Sequence, residues 1–221
     1  MKNRAVVNKL SGAIMVATLF GVLAGIGGLT HGVGELLQGN TAPAGIIINS
    51  WTQGPIATNM GGEPAMTIAP NLFLTGVLNS LVSLATIIWA AVFVQRKNGG
   101  RVLIGFSVLM LLVGGGFGPP IIGILAGVAG TGIHASSPGL RMRLFGDNGR
   151  YAAILWPWLF ATAAVSGIFL VIGSLILVFF FGLDNDQLFL NTFYLTILSL
   201  FFTVLMTPAY DSHHAGEAIP I

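Results

Sequence analysis

Residues 102–133 read VLIGFSVLMLLVGGGFGPPIIGILAGVAGTGI. The stretch is apolar from end to end, yet GGGFGPP interrupts it at its middle. As one straight helix its 32 residues would reach about 48 Å, well beyond a hydrocarbon core of roughly 30 Å. Gly114, Gly115, Gly116 and Gly118 weaken a helix, and Pro119 and Pro120 remove two backbone donors. Carbonyls freed there are tolerable at membrane depth only if protein or a water-filled cavity satisfies them. Two chain paths follow: a kinked single span, or a re-entrant hairpin hinged at Gly116, Pro119 and Pro120 with both ends on one side. Two accounts of the glycines follow as well, close helix packing or a re-entrant element lining a pathway.

Outward from this stretch the chain is similar in kind. Charged residues are 7% of the 221, hydrophobic residues 54% and mean hydropathy is +0.88, whereas soluble domains carry about 25% charge. Five intervals lack Asp, Glu, Lys and Arg: 10–34, 64–95, 102–140, 151–183 and 187–210. Each holds at least the ~20 apolar residues a spanning helix needs. The expectation is an all-α membrane protein with one transmembrane domain over 1–221. Four full spans fall at about 10–34, 71–94, 151–182 and 187–209, with the broken segment 102–133 between them. The absence of cysteine excludes disulfides and thiolate chemistry. A net charge of +2 signals juxtamembrane basic residues, so the expected environment is the lipid bilayer and nucleic acid is not an expected partner. The basic start Lys2, Arg4, Lys9 resembles a secretory signal, but the long apolar run reads as an uncleaved first span.

Lys and Arg decide orientation. With the N-terminus cytoplasmic and five single spans, six lie inside (Lys2, Arg4, Lys9, Arg96, Lys97, Arg101) and three outside (Arg141, Arg143, Arg150). If 102–133 doubles back, all nine are inside, which the positive-inside rule favours. Against this, each arm of the hairpin has only fifteen or sixteen residues, short of the ~17 that span a bilayer. The re-entrant path is the one preferred.

Span one carries Gly21, Ala24, Gly25 and Gly28, small-xxx-small spacings that let another helix approach. Polar stripes run along span two (Asn71, Thr75, Asn79, Ser83, Thr86) and span five (Thr192, Thr196, Ser199, Thr203, Thr207). Such stripes turn inward in lipid, where an interhelical hydrogen bond is worth only about 0.6 kcal/mol, so Asn79, Thr196 and Thr203 are expected to pack helices, with a solute path as the alternative. Segment 39–69 is expected outside the cytoplasm, with GIIINSW (45–51) an interfacial piece anchored by Trp51. Trp156-Pro157-Trp158 reads as the interfacial opening of span four, and DSHHAGEAIPI (211–221) as a loose tail.

Three motifs, HGVGELLQGNTAP (31–43), GEPAMTIAPN (62–71) and VGGGFGPP (113–120), resemble a group of uncharacterised bacterial polytopic integral membrane proteins. The likeness covers roughly residues 5–133. It implies a bacterial inner-membrane protein and brings no activity or cofactor with it.

Few residues could carry chemistry. His31 and Glu35 stand four apart on one helix face, the spacing of two metal ligands or a proton-relay pair. Glu63 is a candidate third member, since a catalytic metal usually takes three protein ligands. The alternative is a His–Glu hydrogen bond that closes a helix end. His134 could join this group only in the five-span path; otherwise it lies with His213 and His214. There is no metalloprotease helix motif, nucleophile elbow or Walker lysine. The expected role is non-enzymatic, a structural or accessory membrane subunit or a small-solute transport protein. The alternative is a membrane enzyme or metal protein centred on His31, Glu35 and Glu63. Other membrane subunits, or further copies of the chain, are the partners such a protein would take.

Overall fold

The structure, a computed structural model, describes residues 11–134, 149–183 and 185–215. Seven helices appear there: α1 (Gly12–Leu37), α2 (Gly54–Asn59), α3 (Leu72–Phe93), α4 (Gly99–Leu112), α5 (Gly118–Thr131), α6 (Gly149–Phe181) and α7 (Asp186–Ala215). Two short strands, β1 (Ile47–Asn49) and β2 (Pro64–Met66), pair antiparallel with Ile48 opposite Ala65. Four helices, α1, α3, α6 and α7, are long and apolar enough to cross a membrane.

The preferred path holds for 102–133. Leu112 ends one helix and Gly118 begins the next, and the two arms lie side by side, Gly100 against Gly127 and Gly130. The turn works differently from a proline kink. Gly114 (φ +99°) and Gly116 (φ +73°) take left-handed conformations that side chains rarely adopt. Pro119 and Pro120 instead sit in the first turn of α5, where a missing N–H costs little. The hairpin lies along α1 from Ala17, beside Gly130, to Glu35, beside Gly114. The eighteen steps from Ala17 to Glu35 rise about 27 Å, close to a bilayer core, so arms of 14 residues carry the tip almost across. The tip's backbone is satisfied by protein: Ile68 N–H donates to Leu112 O at 3.1 Å, and Thr67 bridges to Val113.

Helix α1 is the centre of the bundle. Val16, Ala17, Phe20 and Ala24 are fully buried, and its small residues admit the neighbours at close range. A methyl added at Gly21 would meet Ala90 Cβ of α3 at 2.6 Å, at Gly25 the Ser83 carbonyl at 2.8 Å, and at Gly28 Met110 Sδ of α4 at 2.7 Å. Outer faces stay apolar and exposed, with Leu81, Val165, Phe180 and Leu198 among them. Exposure of that kind across three long helices fits lipid and not water.

The two polar stripes behave differently from one another. Asn79 is buried and its Nδ2 donates to Gly28 O of α1 at 2.9 Å, an interhelical bond. Thr196 and Thr203 are buried too, but each donates to the carbonyl four residues back in its own helix, at 2.8 and 2.7 Å. A hydroxyl on a short side chain reaches its own helix more readily than a neighbour. Only Thr207 in that stripe takes an interhelical bond, accepting from Trp156 Nε1 at 3.0 Å.

Two further expectations are corrected. Trp156 is buried, stacked on Tyr210 at 3.9 Å, so Trp158 alone faces outward, and Pro157 lies well inside α6. Trp51, in the piece expected at the interface, also ties the cap to α1, its Nε1 donating to Thr30 O at 3.2 Å. The tail at 211–215 continues α7. There Asp211 accepts from Gly12 N–H at 2.5 Å and Ala13 N–H at 3.2 Å, capping the start of α1. Residues 216–221 lie outside the described residues.

Candidate functional site

The bundle has two chemically distinct ends. At the base stand Arg96, Lys97, Arg101 and Arg150, all the described Lys and Arg, with the caps at Gly12 and Asp211. His134 is also here, its Nε2 2.8 Å from Gln95 O, far along the chain from His31. At the other end the hairpin tip meets a cap built from 39–69, and the acidic residues Glu35, Glu63 and Asp186 gather there.

Strands β1 and β2 set the cap over α1. Ser50 N–H donates to Glu63 O at 3.1 Å and Trp51 N–H to Gly62 O at 3.0 Å, extending the strand pair inward. Gly61, Gly62 and Glu63 are all left-handed, at φ +63°, +76° and +50°. For glutamate this is an uncommon backbone state. It turns the Glu63 carboxylate back toward α1, where Oε2 lies 3.5 Å from His31 Nε2. On the other ring nitrogen, His31 Nδ1 is 2.9 Å from Ser50 Oγ, and Ser50 Oγ donates to Glu35 Oε1 at 3.1 Å.

His31, Ser50 and Glu35 thus form one hydrogen-bonded chain through the cap, and Glu63 stands at its outer end, within ion-pair range of His31 but not hydrogen-bonded to it. His31 is 5% exposed and Glu35 and Ser50 are 0% exposed, so the inner part is sealed from solvent. Two glycines of the hairpin tip make the seal. Gly114 lies against the Glu35 carboxylate and Gly116 against the His31 ring, each at a range that a Cβ would violate. Glu35 Oε2 and Glu63 Oε2 have no hydrogen-bond partner among the described residues.

Proton positions follow from valence. A serine has one hydrogen, so while Ser50 donates to Glu35 it must accept from His31, which puts a proton on Nδ1. The reverse arrangement is equally self-consistent: a protonated Glu35 donates to Ser50, Ser50 donates to Nδ1, and Nε2 carries the hydrogen toward Glu63. Passing between the two moves one proton from the Glu63 side to Glu35. Ser50 Oγ takes one hydrogen and gives one, and the imidazole does the same through its two nitrogens, gaining at Nε2 and losing at Nδ1.

The three expected ligands His31, Glu35 and Glu63 are therefore brought together, though not as a metal set. Ser50 stands between Glu35 and His31, and no group of three His, Asp, Glu or Cys among the described residues is arranged to hold a metal ion. Sequence reasoning missed Ser50, because a serine in an uncharged loop gives no signal until the strand pairing sets it over α1.

Beside this chain lies a cavity of about 470 Å³. It is open on one side and lined by Thr30 and His31 of α1, the cap turn from Met60 to Pro64, the start of α5, and facing stretches of α6 and α7. Helix α6 contributes Leu170 and Val171 from a π-helical turn at Phe169–Gly173, a wider coil often found at functional sites. Helix α7 contributes Asp186, Phe189, Leu190 and Phe193.

Four spanning helices, a packed hairpin and lipid-suited outer faces define a multi-pass helical membrane protein. No protein-family model matches the chain, and no curated protein or solved structure shows significant similarity to it.

Proposed function

We propose that this is a bacterial inner-membrane protein, base end cytoplasmic, that moves a small solute with the help of proton transfer along Glu63, His31, Ser50 and Glu35. The observation that carries the reading is the polar chain itself. It joins the cavity wall to a fully buried carboxyl in a span otherwise free of charge. Ionisable groups at membrane depth are costly and mark proton or substrate paths. The broken hairpin against which the chain rests is the kind of irregular backbone that transporters place at their sites. The location draws on the likeness of three motifs to bacterial membrane proteins and on the basic residues of the base.

The test is time-resolved infrared difference spectroscopy of the full chain in lipid after a drop in pH. A protonated-carboxyl band absent from Glu35→Gln identifies Glu35. Ser50→Ala interrupts the path while both carboxylates stay in place, at the loss of one hydrogen bond to Glu35, so the band should rise at least about tenfold more slowly, the loss of a positioned proton carrier being worth about 10²–10⁴ in rate elsewhere. An unchanged rate in Ser50→Ala would overturn the reading.

A further inference from the structure

The cavity beside the polar chain restricts what can occupy it. Its volume, about 470 Å³, falls within the ~300–1,000 Å³ of small-molecule sites. Its walls are mainly apolar, with Phe117, Phe189 and Phe193 supplying aromatic faces. Two carboxylates line it on separate elements, Glu63 on the cap turn and Asp186 in the first turn of α7. No Lys or Arg lines it among the described residues; all of those stand at the base.

This combination discriminates by charge. An anion would meet two like charges with no counter-ion, and like-charge juxtaposition in such a site is strongly unfavourable. A neutral hydrocarbon would fill the apolar part and leave both carboxylates without a partner. A molecule with an apolar body and one positive centre satisfies both requirements, and the aromatic faces add attraction for a cation. The strained backbone at Glu63 (φ +50°) belongs to the same design, since it holds a carboxylate at the mouth where a relaxed turn would not place one. From the shape, the lining and the charge distribution we infer that the cavity is a binding site for a hydrophobic organic cation. This rests on the transport reading and names its substrate class. Because Glu63 is also the outer member of the polar chain, the bound cation and a proton on His31 compete for the same carboxylate, which is the coupling a proton-exchanging carrier needs.

The test uses two ions of the same shape and opposite charge, tetraphenylphosphonium and tetraphenylborate. Each is equilibrated by dialysis with the full chain in nanodiscs of zwitterionic lipid, with empty nanodiscs as the blank. The phosphonium should bind saturably above the blank and the borate should not. Glu63→Gln should weaken phosphonium binding about tenfold, and Asp186→Asn, at a more exposed position, about two- to fivefold. Both variants are checked by thermal melting, and Asp186→Asn stands as the informative one if Glu63→Gln does not fold. Equal binding of the two ions, no binding of the phosphonium, or full affinity in Asp186→Asn would overturn the inference. Loss of phosphonium binding alongside an intact Ser50→Ala effect on Glu35 would remove the substrate class and leave the proton path standing. Phosphonium binding without that effect would do the reverse.

Discussion

Replacing Asp211 by alanine should loosen the base of the bundle by an amount the local hydrogen bonds define. The first N–H groups of a helix have no partner within it. In α1, Ile14 N–H goes to Ser11 Oγ at 3.3 Å, while Gly12 and Ala13 both go to the Asp211 carboxylate. Losing a capping side chain costs about 0.5–2 kcal/mol. A carboxylate at a helix N-terminus adds about 0.3–1 kcal/mol through the helix dipole. Asp211 is half-buried, so solvent replaces its oxygens poorly and the upper part of both ranges applies, giving ~2–3 kcal/mol for Asp211→Ala. Asp211→Asn keeps one acceptor oxygen and loses the charge, for ~1 kcal/mol. For a chain of this size one kcal/mol moves a melting midpoint by about 2–4 °C. The alanine variant should therefore melt roughly 4–12 °C lower in mild detergent and the asparagine variant roughly 2–4 °C lower. Ser212→Ala serves as the control, since Ser212 bonds only to Ala209 O in its own helix. A melt of Asp211→Ala within about 1 °C of wild type, well below the shift that scale assigns, would show that α7 does not cap α1.

Three other outcomes are expected. Gly25→Leu and Gly28→Leu should each lower the melting temperature sharply, because Ser83, Ile87 and Met110 occupy the space, whereas Leu81→Ile on an exposed face should not. Leu23 on α1 is buried and so does not serve as a control. Gly116→Ala should cost at least about 1–2 kcal/mol from its left-handed backbone alone, with the His31 ring adding to it; a thermal melt equal to wild type would contradict the tip geometry. Single cysteines at Lys97 and Ser212 should react from one face of the membrane and a cysteine at Thr52 from the other; labelling of Lys97 and Ser212 from opposite faces would break the hairpin topology.

How far the residues alone led varies with the physics involved. The hairpin was legible because helix length, glycine content and the placement of Lys and Arg all act locally or through the bilayer. Four of the stripe residues of α3 were legible as buried for the same reason. The hydroxyls of α7 were legible as an inward face, but their acceptors, mostly carbonyls of their own helix, were not, since burial is a property of the face and the choice of acceptor depends on reach. Trp156 was read as interfacial from its pairing with Trp158; only the tertiary position of Tyr210 and Thr207 makes it a core residue. His31, Glu35 and Glu63 were legible as a group through the rarity of charge. The link through Ser50, and the participation of Asp186 in a cavity wall, depend on contacts between segments far apart in sequence, which no local pattern encodes.

The way the hairpin tip is received bears on how the chain is assembled. The backbone groups that hold the Gly/Pro turn come from Thr67 and Ile68, which leave the ribosome before the hairpin does. The same is true of His31 and Glu35, against which the turn closes. When 99–131 enters the bilayer, its receptor is already made, and the irregular turn need never wait in lipid for a partner. Moving this pair of helices ahead of α1 and the cap by circular permutation would leave every native contact available and remove that order. A permuted chain that folds poorly during synthesis, yet is as stable as the parent once folded, is the signature such an arrangement would leave.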